Sequence, residues 1–201
     1  RPILVVMNGA GNLLVRRLGV PPAGHSAHIH SAQELQMLVR ESHEAGEIAP
    51  YAARMLGNVF RISRKHLRDV MVPRESICAL PRAASEEEIL ETISREGYTR
   101  LPVYSGKLDE IVGLLHSKDV LQLYRKQETI DLEKIIRPYI EMPPRLSVSA
   151  ALMRFRRARL HLAIVREPDG PVLGLVTLED LLEEIVGEIN DEHDVEETDA
   201  S

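Results

Sequence analysis

A twelve-residue motif occurs twice in this chain of 201 residues, and the duplication is the feature that most constrains the fold. "GLVTLEDLLEEI" covers Gly174 to Ile185, and "GLLHSKDVLQLY" covers Gly113 to Tyr124, 61 positions earlier. The same offset aligns the apolar run "TRLPVY", residues 99–104, with "LHLAIV", residues 160–165. A fixed internal offset predicts one supersecondary unit that is present twice.

The pattern within each copy predicts the order strand, helix, strand, strand, helix. Ser85 and Ser147 stand where the first helix of each copy is expected to begin, a position that serine favours, and aliphatic residues follow at helical spacing. A unit of about 60 residues is too small to bury both faces of its sheet, so two copies are expected to pack together. We therefore predict an α/β (α+β) fold of tandem repeats.

A helical segment is predicted before the repeats. Ser31 is followed three residues later by Glu34, which is the spacing of a capping box, and Leu35 and Leu38 then fall on one helical face. Pro50 is placed to open a second helix. The repeats are thus expected to be preceded by a helical linker.

The charge pattern argues against nucleic acid and against a metal site. The net charge is −6, and one C-terminal stretch without Lys or Arg contributes −7, through Glu188, Asp191, Glu192, Asp194, Glu196, Glu197 and Asp199. The remainder is nearly neutral, and the basic run of residues 154–161 lacks the interleaved aromatic residues of single-strand binders. The acidic stretch indicates a solvated tail, with direct divalent-cation sensing as the weaker alternative. The histidines at 25, 28 and 30 lack a fourth ligand, so no metal site is predicted.

No enzymatic pattern is present in the sequence. It contains neither a G-x-S-x-G elbow nor a Walker loop. Its single cysteine, Cys78, cannot form an intramolecular disulfide, which indicates a reducing compartment. The apolar run Ile3–Val15 is shorter than the roughly 20 residues that span a bilayer, so it is not a transmembrane helix by itself. The sequence predicts a sensor without catalytic residues.

The repeated turn has two interpretations, which the sequence leaves open. The glycine ends a strand and allows another group to approach the backbone closely. Thr177 is then expected at the N-cap of the following helix and Asp180 three residues later, which is a capping arrangement. The same carboxylate can accept two hydrogen bonds from a ribose diol, and the helix start can meet phosphate.

Two longer segments resemble a known family. "DVMVPRESICAL…EGYTRLPVYSGKLDEIVGLLHSKDVL" and "FRRARLHLAIVREPDGPVLGLVTLEDLLEEIVGEINDEHD" are similar to the tandem cystathionine-beta-synthase (CBS) domains of the CorC/HlyC/CNNM family of membrane-associated magnesium and cobalt transport proteins. The resemblance covers residues 68–194. It implies a regulatory module with no catalytic residues, which binds ATP with Mg²⁺ or another adenine nucleotide in a cleft between the repeats.

The resemblance also implies the role of each residue in that cleft. Asp180 would hold the ribose, Thr177 the ribose or the α-phosphate, and Arg100 a phosphate. Glu179 would act near the polyphosphate through Mg²⁺. The base would lie between Tyr98 and Pro102, within reach of the Thr99 backbone and beside Val72.

Two departures from the family pattern change these expectations. Val72 stands where many members have threonine, which removes one hydroxyl from the cleft. His116 takes the place of threonine in the first copy. A second nucleotide site around His116 and Asp119 is therefore not expected.

The implied organisation has five parts. They are the end of a membrane-associated domain with a linker (1–30), a helical connector (31–67), the first CBS repeat (68–127), the second (128–190) and an acidic tail (191–201). The module would form a homodimer through its CBS helices and regulate a covalently linked transmembrane magnesium or cobalt transport domain from the cytoplasmic face of the cell membrane. The alternative is a ligand-free structural dimerisation module, in which Thr177 and Asp180 only cap a helix.

Overall fold

A computed structural model of the protein describes residues 31–187. The predicted membrane-associated end (1–30), with its three histidines, and the predicted acidic tail (191–201) lie outside the described residues. Within residues 31–187, every helix is too short or too polar to cross a membrane.

Two helices precede the repeats, as predicted. They are α1 (Ala32–Glu44) and α2 (Pro50–Ile62). The capping box of α1 is formed, because the Ser31 hydroxyl accepts from the Glu34 backbone N–H at 3.2 Å and the Glu34 carboxylate accepts from the Ser31 N–H at 2.9 Å. Pro50 is the first residue of α2, where its missing N–H leaves no helical hydrogen bond unmade.

The first repeat builds a three-stranded sheet. Its elements are β1 (Val72–Pro73), β2 (Leu80–Pro81), α3 (Glu86–Glu96), β3 (Arg100–Tyr104), β4 (Ile111–His116) and α4 (Ser117–Arg125). The sheet order is β2-β3-β4, with β2 parallel and β4 antiparallel to β3. Ser85 caps α3, since its hydroxyl accepts from the Glu88 N–H at 3.2 Å.

The second repeat copies this order. Its elements are α5 (Leu132–Ile135), β5 (Ile140–Met142), α6 (Val148–Ala158), β6 (Leu162–Arg166), β7 (Val172–Thr177) and α7 (Leu178–Val186). They form a sheet of order β1-β7-β6-β5. The predicted α/β fold of two strand-helix-strand-strand-helix repeats is confirmed, while the short α5 and β1 were not predicted.

The segment that leads into each repeat crosses onto the sheet of the other. Val72 of β1 pairs with Leu175 of β7, and Arg137, before β5, pairs with Leu114 of β4. The sheet residues of the two pairs, Leu175 and Leu114, are related by the 61-residue offset, so the two contacts are equivalent. They explain the glycine of the repeated motif, because a Cβ on Gly174 would lie 2.8 Å from Met71 Sδ and one on Gly113 would lie 2.8 Å from the Arg137 carbonyl oxygen.

This finding both confirms and corrects the sequence-based prediction for the two glycines. Each allows the close approach that was predicted. Each lies inside its strand, however, and not at the end, because the approaching group is a crossing backbone that pairs with the middle of the strand.

The two repeats share a hydrophobic core. One buried cluster centres on each sheet: Leu132 of α5 packs into the cluster of the first repeat, and Ile62 of α2 packs into that of the second. A third cluster joins the sheets of both, through Ile111, Leu114, Leu162, Ile164, Val172 and Leu175. The expectation that the copies pack together to bury their sheets is confirmed.

Candidate functional site

A cavity of about 290 Å³ lies where the two repeats meet, at the start of α7. We name it the Thr177 cavity. One wall comes from the N-terminal turn of α7, and another comes from the segment that enters β3. The crossing segment of the first repeat, residues 72–78, supplies a third wall. Residues distant in the sequence therefore meet here only because the copies pack together.

The start of α7 combines the two interpretations of the repeated turn. Thr177 caps the helix, because its hydroxyl accepts from the Asp180 N–H at 3.1 Å. Asp180 completes the box by accepting from the Thr177 N–H through Oδ2 at 2.8 Å. Residues 31–187 provide no hydrogen bond to Asp180 Oδ1. One carboxylate oxygen thus serves the helix, and the other can accept from a ligand.

Seven of the eight residues singled out from the sequence line the Thr177 cavity. They are Val72, Tyr98, Thr99, Arg100, Thr177, Glu179 and Asp180. The eighth, Pro102, is buried inside β3, paired with Leu114 of β4, and is not among the lining residues. Pro102 therefore does not line the cavity, although the resemblance implies that it flanks the base.

Four further lining residues were not identified from the sequence. They are Ser76, Cys78, Leu162 and Leu175. Ser76 and Cys78 follow Val72 on the crossing segment, whose path is set by β1, a strand too short to leave a periodic signal. Burial, with a smaller contribution from Glu96, raises the pKa of the Cys78 thiol. The thiol is therefore neutral at physiological pH and contributes an apolar surface.

Arg74 fixes the crossing segment against the second repeat. Its guanidinium donates to the Val172 carbonyl oxygen at 2.8 Å and to Asp109 Oδ2 at 3.0 Å. The hydrogen bond from Arg74, followed by one from the Val172 backbone N–H, holds the pKa of Asp109 below its usual value. Because Arg74 lies between Val72 and Ser76, this contact sets the position of a wall of the Thr177 cavity.

Arg100 and Glu179 lie across the mouth of the cavity from each other. Arg100 Nη1 is 3.6 Å from Glu179 Oε1, and the same oxygen is 3.4 Å from His161 Nδ1. The Glu179 side chain is exposed, so these ion pairs are weak and a charged ligand can displace them. Within residues 31–187, no group of three or more His, Cys, Asp or Glu side chains is arranged to hold a metal ion.

A second cavity, of about 190 Å³, lies at the equivalent turn of the first repeat. We name it the His116 cavity. His116 caps α4, and its Nδ1 accepts weakly from the Lys118 N–H at 3.4 Å. Asp119, equivalent to Asp180, instead accepts from two nitrogens of the Arg137 guanidinium: Nη2 donates at 2.7 Å and Nε at 3.0 Å. Its carboxylate is therefore already engaged by the protein.

His161 lies immediately before β6, at the edge of the His116 cavity. Its side chain is 45% exposed, and it lines the His116 cavity. The neighbouring β6 residues are buried, but His161 precedes the strand and stays outside the sheet. Arg100 lines both cavities.

The sequence pattern of the CBS domain family matches residues 67–126 and 131–187. The chain belongs to the CBS-domain family. Its two repeats are a CBS pair related to those of the CorC/CNNM transport proteins. The magnesium and cobalt efflux protein CorC of Pasteurella multocida is 37% identical over 170 residues, which are 84% of this chain and 57% of that protein.

Solved structures support the same assignment. The CBS domain of a bacterial CNNM/CorC family Mg²⁺ transporter is 34% identical, with a TM-score of 0.71, over 81% of this chain and 100% of that one. A structure of such a domain in complex with ATP is 35% identical, with a TM-score of 0.63, over 70% of this chain and 100% of that one. These relatives are an efflux protein and CBS domains of Mg²⁺ transporters, so the prediction that the CBS pair is not an enzyme is confirmed. The chain spans about half the length of the curated relatives that it matches.

Proposed function

We propose that this CBS pair binds an adenine nucleotide, ATP together with Mg²⁺, in the Thr177 cavity. The observation that carries the proposal is the convergence of seven residues, which the family resemblance implied, on the wall of one cavity between the repeats. The similarity to a CBS domain in complex with ATP supports the same ligand class.

The chemistry of the wall fits each part of such a ligand. Asp180 Oδ1 would accept from the ribose diol while Oδ2 remains in the capping box. Arg100 would meet a phosphate with its forked donors, exchanging a weak contact with Glu179 for a stronger one. Tyr98, which is 51% exposed, would flank the base and become buried, with Thr99 and Val72 beside it. Pro102 has no place in this arrangement.

In this proposal Mg²⁺ accompanies ATP. The ion prefers oxygen ligands and keeps several waters, so one carboxylate and the phosphates are enough to hold it. Glu179 is the exposed carboxylate at the cavity mouth. We assign it the contact with the nucleotide-bound ion, directly or through water.

Binding would regulate an ion-transport domain in the same protein. A nucleotide transmits a signal only if it binds one arrangement of the two repeats better than another. The Thr177 cavity takes walls from both repeats, so its occupancy favours one relative position of the two. We therefore propose that the module lies at the cytoplasmic face of the membrane and regulates a linked magnesium or cobalt transport domain. The domain limits 31–67, 68–127 and 128–190 are part of this proposal.

Calorimetric titration with ATP, ADP and AMP, each with and without Mg²⁺, tests the proposed ligand. One nucleotide is expected to bind per chain. Mg²⁺ is expected to increase the affinity for ATP more than that for ADP or AMP, because it offsets the charge of the triphosphate. The alternative is a ligand-free structural module, which the completed Thr177–Asp180 capping box favours. If no nucleotide releases or absorbs heat under any of these conditions, that alternative holds.

We further propose that the CBS pair forms a homodimer through α4 and α7. Leu121 and Leu182, which the 61-residue offset makes equivalent, are 46% and 45% exposed, and Tyr124 is 56% exposed. Exposed apolar side chains at equivalent positions of the two helices favour association. Light scattering at micromolar concentration is expected to give the dimer mass.

A matched pair of variants tests the dimer surface. Leu182→Asp is expected to shift the mass to that of the monomer, because it places a carboxylate in the apolar contact. Met153→Asp, on α6 and 49% exposed, is expected to leave the dimer intact. A wild-type monomer in the presence of nucleotide would contradict the proposal.

A further inference from the structure

The His116 cavity differs from its duplicate in charge. Three arginines and two histidines line it: Arg100, Arg137, Arg159, His116 and His161. Among residues 31–187, no carboxylate lines it. The two nearest are Asp119, which is paired with Arg137, and Glu179, which lies 3.4 Å from His161. The cavity therefore offers an excess of positive groups on a small surface.

This excess arises at the positions where the two copies differ. Arg159 is equivalent to Tyr98, and His116 is equivalent to Thr177, by the 61-residue offset. Arg137 occupies the place of Val72, because each pairs with equivalent residues of the two sheets. At two of these positions an arginine replaces a neutral side chain of the Thr177 cavity, and at the third a histidine replaces threonine.

Arg159 has a strained backbone conformation, and the need to end the helix does not by itself explain why an arginine is placed there. Arg159 ends α6 with a φ of 55°, in the left-handed region that glycine adopts most easily. The first repeat ends its equivalent helix with Gly97, at a φ of 68°. The second repeat thus places a cation where a glycine would fit better, at the edge of a cavity already rich in basic groups.

The same geometry argues against a nucleoside in the His116 cavity. The Asp119 carboxylate that would accept from a ribose diol already accepts from Arg137 at 2.7 Å. Burial, followed by repulsion from Arg100, lowers the pKa of His116, and Arg137 and Lys118 act in the same direction while Asp119 opposes them. His116 is therefore neutral at physiological pH and serves as a hydrogen-bonding group, while the arginines carry the charge.

We infer that the His116 cavity binds a phosphate oxyanion through Arg159, Arg137 and Arg100. The planar guanidinium groups match the oxygens of phosphate, and the cavity of about 190 Å³ is large enough for an inorganic ion. Because Arg100 lines both cavities, the oxyanion has two possible sources: a free inorganic anion, or the terminal phosphates of a nucleotide held in the Thr177 cavity. Only the second source rests on the proposed function.

Titration of the whole chain with inorganic pyrophosphate, without nucleotide, tests the site. The wild-type protein is expected to bind it, and Arg159→Asn is expected to weaken binding about tenfold, because one charge-assisted contact is lost. Asparagine tolerates the left-handed backbone, so this variant keeps the fold. Arg157→Asn, which removes the same charge two residues away on the exposed side of α6, is the matched control and is expected to bind like the wild type.

Nucleotides distinguish the two sources. If the site takes a free anion, pyrophosphate still binds when AMP is saturating, and Arg159→Asn does not change the affinity for ATP. If the site takes terminal phosphates, Arg159→Asn weakens the binding of ATP about tenfold but leaves the affinity for AMP unchanged. The inference is overturned if pyrophosphate does not bind and ATP affinity is unaffected, or if Arg157→Asn causes the same loss as Arg159→Asn. Pyrophosphate binding without nucleotide binding would refute the proposed function and leave this site intact.

Discussion

The turns that begin at Thr177 and at His116 occupy equivalent places in the two repeats, yet their aspartates have different partners. Asp180 accepts from the Thr177 backbone N–H at 2.8 Å and leaves its second oxygen to the cavity. Asp119 accepts from the Arg137 guanidinium through both of its oxygens, at 2.7 and 2.8 Å. One carboxylate is available to a ligand, and the other is held by the protein.

The difference depends on the segment that crosses onto each sheet as well as on the turns themselves, where His116 stands in place of Thr177. Val72 pairs with Leu175 of β7 and lines the same cavity as Asp180, whereas Arg137 pairs with Leu114 of β4 and its guanidinium donates to Asp119. A valine there offers no donor to Asp180 Oδ1, whereas an arginine neutralises Asp119. The comparison teaches that a duplicated ligand site can be opened or closed from outside its own motif.

The largest expected effect is on nucleotide binding by the two aspartate variants. Asp180→Ala is expected to lower the affinity for ATP at least about a hundredfold. Two hydrogen bonds to a charged group are lost, each worth about 1.5–3 kcal/mol. Asp119→Ala is expected to leave ATP affinity within a few-fold of the wild type, because its carboxylate contacts Arg137. Calorimetric titration of both variants with ATP and Mg²⁺ gives the two affinities.

The melting temperature of each variant without ligand serves as the control for misfolding. Asp180→Ala also removes half of the capping box, at a cost of about 0.5–2 kcal/mol. A fold that remains cooperative but binds no ATP supports the comparison. Equal losses of affinity from the two variants would refute it.

A smaller but more specific effect is expected from Val72→Arg, which copies the crossing residue of the His116 cavity. The new guanidinium is expected to pair with Asp180 and to lower the affinity for ATP about tenfold or more, since the ligand must displace a charge-assisted hydrogen bond. Val72→Thr, which introduces a hydroxyl of nearly the same volume, is the matched control and is expected to retain binding. Unchanged affinity in Val72→Arg would mean that the crossing segment does not control access to the aspartate.

Much of the fold could be predicted from the sequence, because its signals are local and repeated. The helix starts at Ser85 and Ser147 follow from capping chemistry within a few residues. The 61-residue offset predicted that two copies pack together. The site was predicted in large part through the resemblance to a family, which placed residues of both repeats at one cleft.

The rest could not be predicted because it depends on contacts between segments that are distant in the sequence. β1 has only two residues, too few for an alternating pattern, yet it brings Val72, Ser76 and Cys78 to the cavity wall. The pairing of Arg137 with Asp119 also depends on a crossing that no local motif reports. The residues around Pro102 match the family pattern, but Pro102 itself is buried within β3, where it pairs with β4.

The smallest expected effect separates helix capping from ligand contact at Thr177. Thr177→Ala is expected to lower the free energy of unfolding by about 0.5–2 kcal/mol without ligand, because the Asp180 N–H loses its acceptor, while Thr177→Ser keeps the hydroxyl and is expected to be nearly silent. If the hydroxyl also contacts the nucleotide, the rise in melting temperature across an ATP series at fixed Mg²⁺ is smaller in Thr177→Ala than in the wild type, since that rise depends on the ratio of ligand concentration to Kd. We expect the smaller rise, because Thr177 lines the cavity beside Glu179 and Asp180. Parallel curves, displaced by a constant loss of stability, would show that Thr177 acts on the helix alone and would leave the nucleotide contacts of this turn to Glu179 and Asp180.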